Sequence, residues 1–400
     1  MPELDKIRSD FESGASGPLA LNEYQEFARR TYKGDLDGEE LFRFLLLGLH
    51  GEVGSLLSEL KKKQRDRSAY VAYSRSAVEE TGDVLWYLAN VALVAGIPLS
   101  ALAGTNKLDT GSGAAATFAD LEPQAALFEE PASNAAVQEA LLALAARTGD
   151  IVSRFGEGPA GSELHAGLAL VFAAMVNAAK QAHVSIEGAA TANLSKLLGR
   201  WPITRDHGKL YDEDFHPDEQ IPRRFAVAFR ERQVGSTTYA FQSLNGVNLG
   251  DRLTDNSAGG DDYRFHDIFH LAFAGILGWS PVLRSLLKIK RKSDGRIDEI
   301  EDGARAQITE EGISNWIFAH GLRHGAFENV DSLDFALLKT VQEMVREYEV
   351  NDRPLWMWEE AILAGFSVFR DLKRNRGGTV EVDLHKRSIE YSEADASGGG

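Results

Sequence analysis

Between Phe42 and Leu60 the apolar residues Phe42, Leu45, Leu46, Leu49, Val53, Leu56, Leu57 and Leu60 recur at i, i+3, i+4 and i+7, the spacing of a helix that must bury one long stripe. Beside the stripe run Glu52, Ser55 and Glu59, each about one turn from the next. A second apolar segment carries Glu79-Glu80-Thr81-Gly82-Asp83-Val84-Leu85-Trp86. There Glu80 and Asp83 stand three apart and Glu79 and Asp83 four apart, so they project from one helical face. Two such helices packed side by side gather carboxylates around one point. Clustered carboxylates raise one another's pKa values, and a cation relieves them. Oxygen-only ligands favour Mg²⁺ or Mn²⁺ over zinc. Spacing alone leaves a second arrangement open, in which two amphipathic helices turn these carboxylates to water.

At 400 residues the chain has room for two or three domains, each with its own core. A formal net charge of -17 argues against general nucleic-acid binding, which needs a basic surface to displace counterions. It does not exclude a small phosphorylated substrate whose charge a local metal offsets. The absence of cysteine rules out disulfides and thiolate chemistry. Met1-Pro2-Glu3-Leu4-Asp5-Lys6 lacks the basic start and apolar run of a secretory signal. Val84 to Gly104 is about as long as a membrane span, but Gly96-Ile97-Pro98 breaks it. The expectation is a buried core helix followed by a short second helix, in a soluble, cytoplasmic protein that does not enter a membrane.

The residues carry a resemblance. Gly48-Leu49-His50-Gly51-Glu52-Val53-Gly54, followed by Glu79-Glu80-Thr81-Gly82-Asp83-Val84-Leu85-Trp86-Tyr87-Leu88, resembles the MazG-type all-α nucleoside triphosphate pyrophosphohydrolases. Their metal ligands follow Glu-x-x-Glu, a spacer, then Glu-x-x-Asp. Position by position, Glu52, Glu80 and Asp83 match that pattern, whereas Ser55 stands where the family has its second glutamate. Glu59 or Glu79 would substitute for it. Leu21-Asn22-Glu23-Tyr24-Gln25 resembles the opening helix of phage and bacterial MazG-like proteins. The helix bearing Glu52 is expected from about Glu39 to Lys63, closing on Lys61, Lys62 and Lys63, with Arg65 and Arg67 in the break that follows. Such cations either hold a triphosphate tail or simply suit a helix C-terminus. Trp86 either stacks on a base or belongs to the core.

Asp109 to Ala116 reads as a Gly- and Ala-containing linker. Beyond it Leu141-Leu142-Ala143-Leu144 can be laid over Leu46-Leu47-Gly48-Leu49, and Asn193 over Asn106, as a faded second copy. In that copy Arg147 replaces Glu52, Asp150 stands opposite Ser55, and Gly167 and Leu170 fall opposite Glu80 and Asp83, so it lacks a comparable carboxylate cluster. Its end resembles the Asn-x-x-Lys-x-x-x-Arg tail of MazG proteins. Asn193, Lys196 and Arg200 share a predicted helical face that either meets a phosphate chain or is an exposed helix end. The substrate contacts implied are Lys61, Trp86, Asn106, Lys107, Asn193, Lys196 and Arg200.

From Trp201 the character changes. Arg223 to Arg230 and Thr238 to Gly250 cluster β-formers around Gly235-Ser236, which predicts a small hairpin or sheet, with short helices as the alternative. Roughly Arg200 to Phe318 resembles the helical domain at the C-terminus of some MazG-like proteins. Within it His266 and His270 are four apart with Asp267 beside the first, and Glu301, Glu310 or Glu311 would complete a possible second metal site. Core histidines are the alternative. Lys288, Lys290, Arg291 and Lys292 form a basic run, either phosphate-binding or a solvated loop. Helices are expected over about Leu333 to Glu349 and Leu355 to Lys373.

The expected fold is mainly α. A MazG-like unit spans 19–110, a linker 111–134, a degenerate second unit 135–205, a helical domain with a small β element 206–391, and a disordered tail 392–400. The resemblance implies Mg²⁺- or Mn²⁺-dependent cleavage of a nucleoside triphosphate to the monophosphate and pyrophosphate. Glu52, Glu80 and Asp83, with Glu59 in reserve, would hold the metal, and Glu79 or Glu59 would act as base. The alternatives are a nucleotide-sensing module that lost catalysis at Ser55, and a metallohydrolase built on the His266 cluster. A homo-oligomer is a further possibility.

Overall fold

The computed structural model describes residues 18–103, 117–121, 134–156, 158–159, 162–202, 204–257 and 259–393, and it divides into two compact units, Met1–Ile203 and Thr204–Gly400. The expected contacts Asn106 and Lys107, most of the expected linker and residues 394–400 lie outside the described residues.

The first unit is helical. Its elements are α1 (Leu21–Thr31), α2 (Gly38–Asp66), α3 (Tyr73–Val94), α4 (Leu99–Leu102), α5 (Asn134–Phe155), α6 (Ser162–Gln181) and α7 (Ile186–Arg200). The stripe read from the sequence is the buried face of α2: Phe42, Leu45, Leu46, Leu49, Val53, Leu56 and Leu60 all lie in the core. The stretch Gly38–Ala69 is long and apolar enough, by length and composition, to cross a membrane, but its stripe is spent on this core and its other faces carry Glu52 and Lys61 to Lys63. Helix α3 is the hub and packs on α1, α2, α6 and α7. It ends where Gly96 takes φ +71°, a left-handed conformation that costs a residue without Cβ little. Helix α7 starts on Ser185, whose Oγ accepts the Gly188 N–H at 2.9 Å. Phe118, within the span read as a linker, is fully buried and meets Tyr24 edge-on at 5.5 Å. Phe118 therefore belongs to the core, with Leu121 packed against it, and not to a spacer.

The second unit mixes helices with a five-stranded antiparallel sheet of order β3-β2-β1-β4-β5. Strands β1 (Arg224–Val234), β2 (Thr237–Leu244) and β3 (Val247–Asn248) lie where β-formers clustered, whereas β4 (Gly377–Asp383) and β5 (Ser388–Ser392) were not foreseen. The helices are α8 (Ile268–Ala272), continued as a π turn over Phe273–Leu277, then α9 (Pro281–Leu287), α10 (Gly295–Ile300), α11 (Ala304–Arg323), α12 (Phe335–Met344) and α13 (Leu355–Asn375). Helix α13 lies against α8 and strands β4 and β5, with Trp358, Phe366 and Phe369 in a core shared with Phe269, Phe273 and Trp279. The basic run is not uniformly solvated. Arg291 is 1% exposed and pairs with Asp302 at 2.7 Å and Glu349 at 2.6 Å, so it is structural and not a phosphate contact. A buried guanidinium persists only when its donors are met.

Candidate metal centre

Glu52 projects from the middle of α2, and Glu80 and Asp83 from α3. One carboxylate oxygen from each lies within 4.8 Å of the others. Two glycines let the helices come this close. A Cβ at Gly48 would fall 2.0 Å from the Tyr87 ring, and one at Gly82 would fall 2.7 Å from the Ala189 carbonyl oxygen and 2.8 Å from Asn193 Cβ. The first brings α2 onto α3, and the second brings α7 onto α3.

Through the second approach α7 delivers polar groups to Asp83. Lys196 Nζ donates to Asp83 Oδ2 at 2.6 Å and also bonds Oδ1, while Asn193 Nδ2 donates to Oδ1 at 2.8 Å. Asn193 Oδ1 accepts from the Tyr24 hydroxyl at 2.9 Å. Asn193 is 2% exposed, so it is not an exposed helix end and its amide orients Asp83. Glu79 Oε1 lies 3.7 Å from Lys196 Nζ.

Of the four carboxylates Glu52, Glu79, Glu80 and Asp83, the Lys196 ammonium thus pairs with Asp83 and Glu79. Burial, followed by the charges of Asp83, Glu52 and Glu79, pushes the Glu80 carboxyl up to about 7. Burial and Asp83 likewise raise Glu52, which shares a hydrogen bond with Glu80. Burial raises Asp83 too, with Lys196 pulling it back. Three oxygen donors from two rigid helices, carrying excess negative charge in a half-buried site, form a donor set that fits a hard divalent cation such as Mg²⁺ or Mn²⁺.

The remaining residues singled out in this unit lie apart. Glu59 is buried and accepts from Lys62 at 2.6 Å and from the Tyr70 hydroxyl, and it does not join the three converging carboxylates. Ser55 is half-buried and brings no carboxylate. Trp86 is half-buried, packs on the core and donates its indole N–H to Thr31 Oγ1 at 2.8 Å. Lys61 is exposed. The Arg200 guanidinium lies 5.1 Å from the Trp201 ring. Tyr24, which steadies Asn193, was missed as a site residue. In the sequence it reads only as an apolar position of α1.

In the second unit His266, Asp267 and His270 also bring one ligand atom each within 4.8 Å. Helix α11 adds Glu310, fully buried against His270, and Glu311. Glu301 is taken up elsewhere, accepting the Glu349 N–H at 3.0 Å.

Residues 206–395 match the MazG C-terminal domain, so the second unit is similar to that domain. "Gene 37 protein" of Mycobacterium phage L5 is 36% identical over 61 residues, 15% of this chain and 54% of that relative. The match thus spans about half the length of the phage protein. No solved structure matches the chain.

Proposed function

We propose that the first unit is a divalent-cation-dependent nucleoside triphosphate pyrophosphohydrolase, yielding the monophosphate and pyrophosphate. The observation that carries this reading is the convergence of Glu52, Glu80 and Asp83 beside Lys196. The second unit's match to a MazG domain supports the same family of chemistry. Glu52, Glu80 and Asp83 would hold Mg²⁺ or Mn²⁺. When bound, such an ion polarises a phosphoryl oxygen and lowers the pKa of the attacking water.

The chain's own groups do the rest. Lys196 supplies a cation for the phosphate chain, and Asn193 with Tyr24 fixes the carboxylate it bridges. Glu79, 3.7 Å from Lys196 and outside the converging three, is the carboxylate that would accept the water proton in this reading. The water oxygen bonds to the α phosphorus, the bond to the bridging oxygen breaks, and pyrophosphate leaves with that oxygen. Hydrolysis in heavy-oxygen water tests this: label in the monophosphate supports attack at the α phosphorus, and label in pyrophosphate or free phosphate contradicts it.

Ser55 favours a second reading. The position where the resemblance expects a glutamate offers only a hydroxyl, so a site that binds nucleotide without turning it over is the alternative. Nucleotide binding with no product over the same incubation selects it.

A further inference from the structure

The second unit carries a polar cluster that the first unit's chemistry does not use. His266 lies two residues before α8 and His270 within it, with ring centroids 6.0 Å apart. His266 Nδ1 lies 2.9 Å from the Tyr263 carbonyl oxygen, and His270 Nδ1 lies 2.8 Å from Glu310 Oε1. Both partners accept hydrogen bonds, so each Nδ1 donates and Nε2 is the ring nitrogen turned to the cluster. The two Nε2 atoms face the same oxygen, Glu311 Oε2, at 3.8 and 3.5 Å. Asp267 Oδ1 lies 3.1 Å from His266 Nε2.

Two features set this cluster apart from ordinary core histidines. His270 is 1% exposed, yet its Nε2 makes no hydrogen bond, a costly state for a buried polar atom. The groups behind three of the four inward atoms, those of His266, His270 and Asp267, are also held in place. Glu310, fully buried, accepts from the Ser280 hydroxyl at 2.7 Å and the Val282 N–H at 2.8 Å as well as from His270. Gln242 Nε2 donates to Asp267 Oδ2 at 2.5 Å, leaving Oδ1 turned to His266. Tyr263 stacks on the His266 ring at 4.1 Å with the planes 3° apart. Imidazoles that donate their far N–H to a carboxylate or carbonyl, beside carboxylates steadied by a second hydrogen bond, are the supporting arrangement of metal sites.

We propose that His266, Asp267, His270 and Glu311 form a second metal centre, which takes a first-row transition cation such as Zn²⁺ rather than Mg²⁺. Two imidazole nitrogens select against the hard cations that suit the all-oxygen cluster of the first unit. Glu310 is a positioning residue, since its carboxylate is consumed by His270, Ser280 and Val282. Glu311 is the approach side: its side chain is 46% exposed, and it lines a cleft of ≈ 460 Å³ with Val282, Leu286 and Ile308. The competitor for the ion is a second proton on His270. Burial opposes that proton, but Glu310 outweighs burial and raises the imidazole pKa.

The test uses the full chain carrying Glu80→Ala, stripped with chelator and titrated with Co²⁺, whose visible bands report nitrogen and oxygen coordination. The expected result is one Co²⁺ whose bands are bleached by Zn²⁺ but not by Mg²⁺. His266→Gln and Glu311→Gln should each weaken binding by at least about tenfold. Glu311 is half-exposed, so its substitution reads the site even where changes at His270 impair folding. Absence of bands, or bands unchanged by both substitutions, overturns the proposal.

Discussion

Lys196 and Asp83, 113 positions apart in sequence, meet at 2.6 Å between Nζ and Oδ2. That pair ties the last helix of the first unit to the carboxylates of its central helix. If Lys196 also supplies positive charge to a phosphate chain, Lys196→Met removes a charged hydrogen bond worth about 1.5–3 kcal/mol. The expected result is a fall in kcat/KM of roughly 10- to 100-fold, carried largely by KM if the contact is made equally in ground and transition states. Steady-state kinetics on the triphosphate check it, and unchanged constants would remove Lys196 from the site.

Glu80 makes stability depend on pH. Its folded pKa of about 7 lies above the unfolded carboxylate value near 4.5. A raised pKa gives a contribution fully present below the unfolded value and lost as pH rises through the folded one. In chelator, the first unit should therefore lose stability between about pH 4.5 and pH 7. Glu80→Gln should flatten that slope, and so should saturating Mg²⁺, which would neutralise the cluster. Urea unfolding across the pH range measures both.

Gly82→Ala pits two terms against each other. Alanine improves helix propensity by about 0.5–1 kcal/mol, but its Cβ would press on the Ala189 carbonyl and Asn193 Cβ, backbone and near-backbone atoms that cannot swing away. Overpacking of this kind costs about 1–3 kcal/mol. The expected net result is lower stability, read by urea unfolding, and a weakened contact of α7 with Asp83. A more stable variant would show that α3 and α7 do not approach so closely.

Arg291→Ala should destabilise the second unit by about 3–5 kcal/mol, because it leaves Asp302 buried without its main partner. Arg291→Lys should rescue little of this, since one ammonium cannot serve Asp302 and Glu349 in the forked geometry. Thermal unfolding measures both.

Much of the first unit was legible because helical periodicity is local. The stripe on α2 and the three- and four-residue spacings on α3 set which faces are buried and where Glu52, Glu80 and Asp83 point. The neighbours of those carboxylates were not legible. Asn193 and Lys196 read as a row that either meets a phosphate chain or is an exposed helix end, because spacing gives a face but not what lies opposite it. Their partner Asp83 is reached through Gly82, a glycine whose role depends on the packing of α7. Glu59 kept the right spacing but was claimed by Lys62 and Tyr70, a competition the sequence does not display. Strand β4 escaped notice because its partner β1 is far away in the chain, and β5, which pairs with β4, went unseen with it; Arg291 looked solvated because its acids, Asp302 and Glu349, lie on other segments.

The measurement that tests the central claim most directly is pyrophosphate release from a panel of nucleoside and deoxynucleoside triphosphates with Mg²⁺ or Mn²⁺, run beside Glu80→Ala. The account predicts release from at least one triphosphate, dependent on the cation and lost in the variant. Release that survives Glu80→Ala, or silence across the panel, would contradict it.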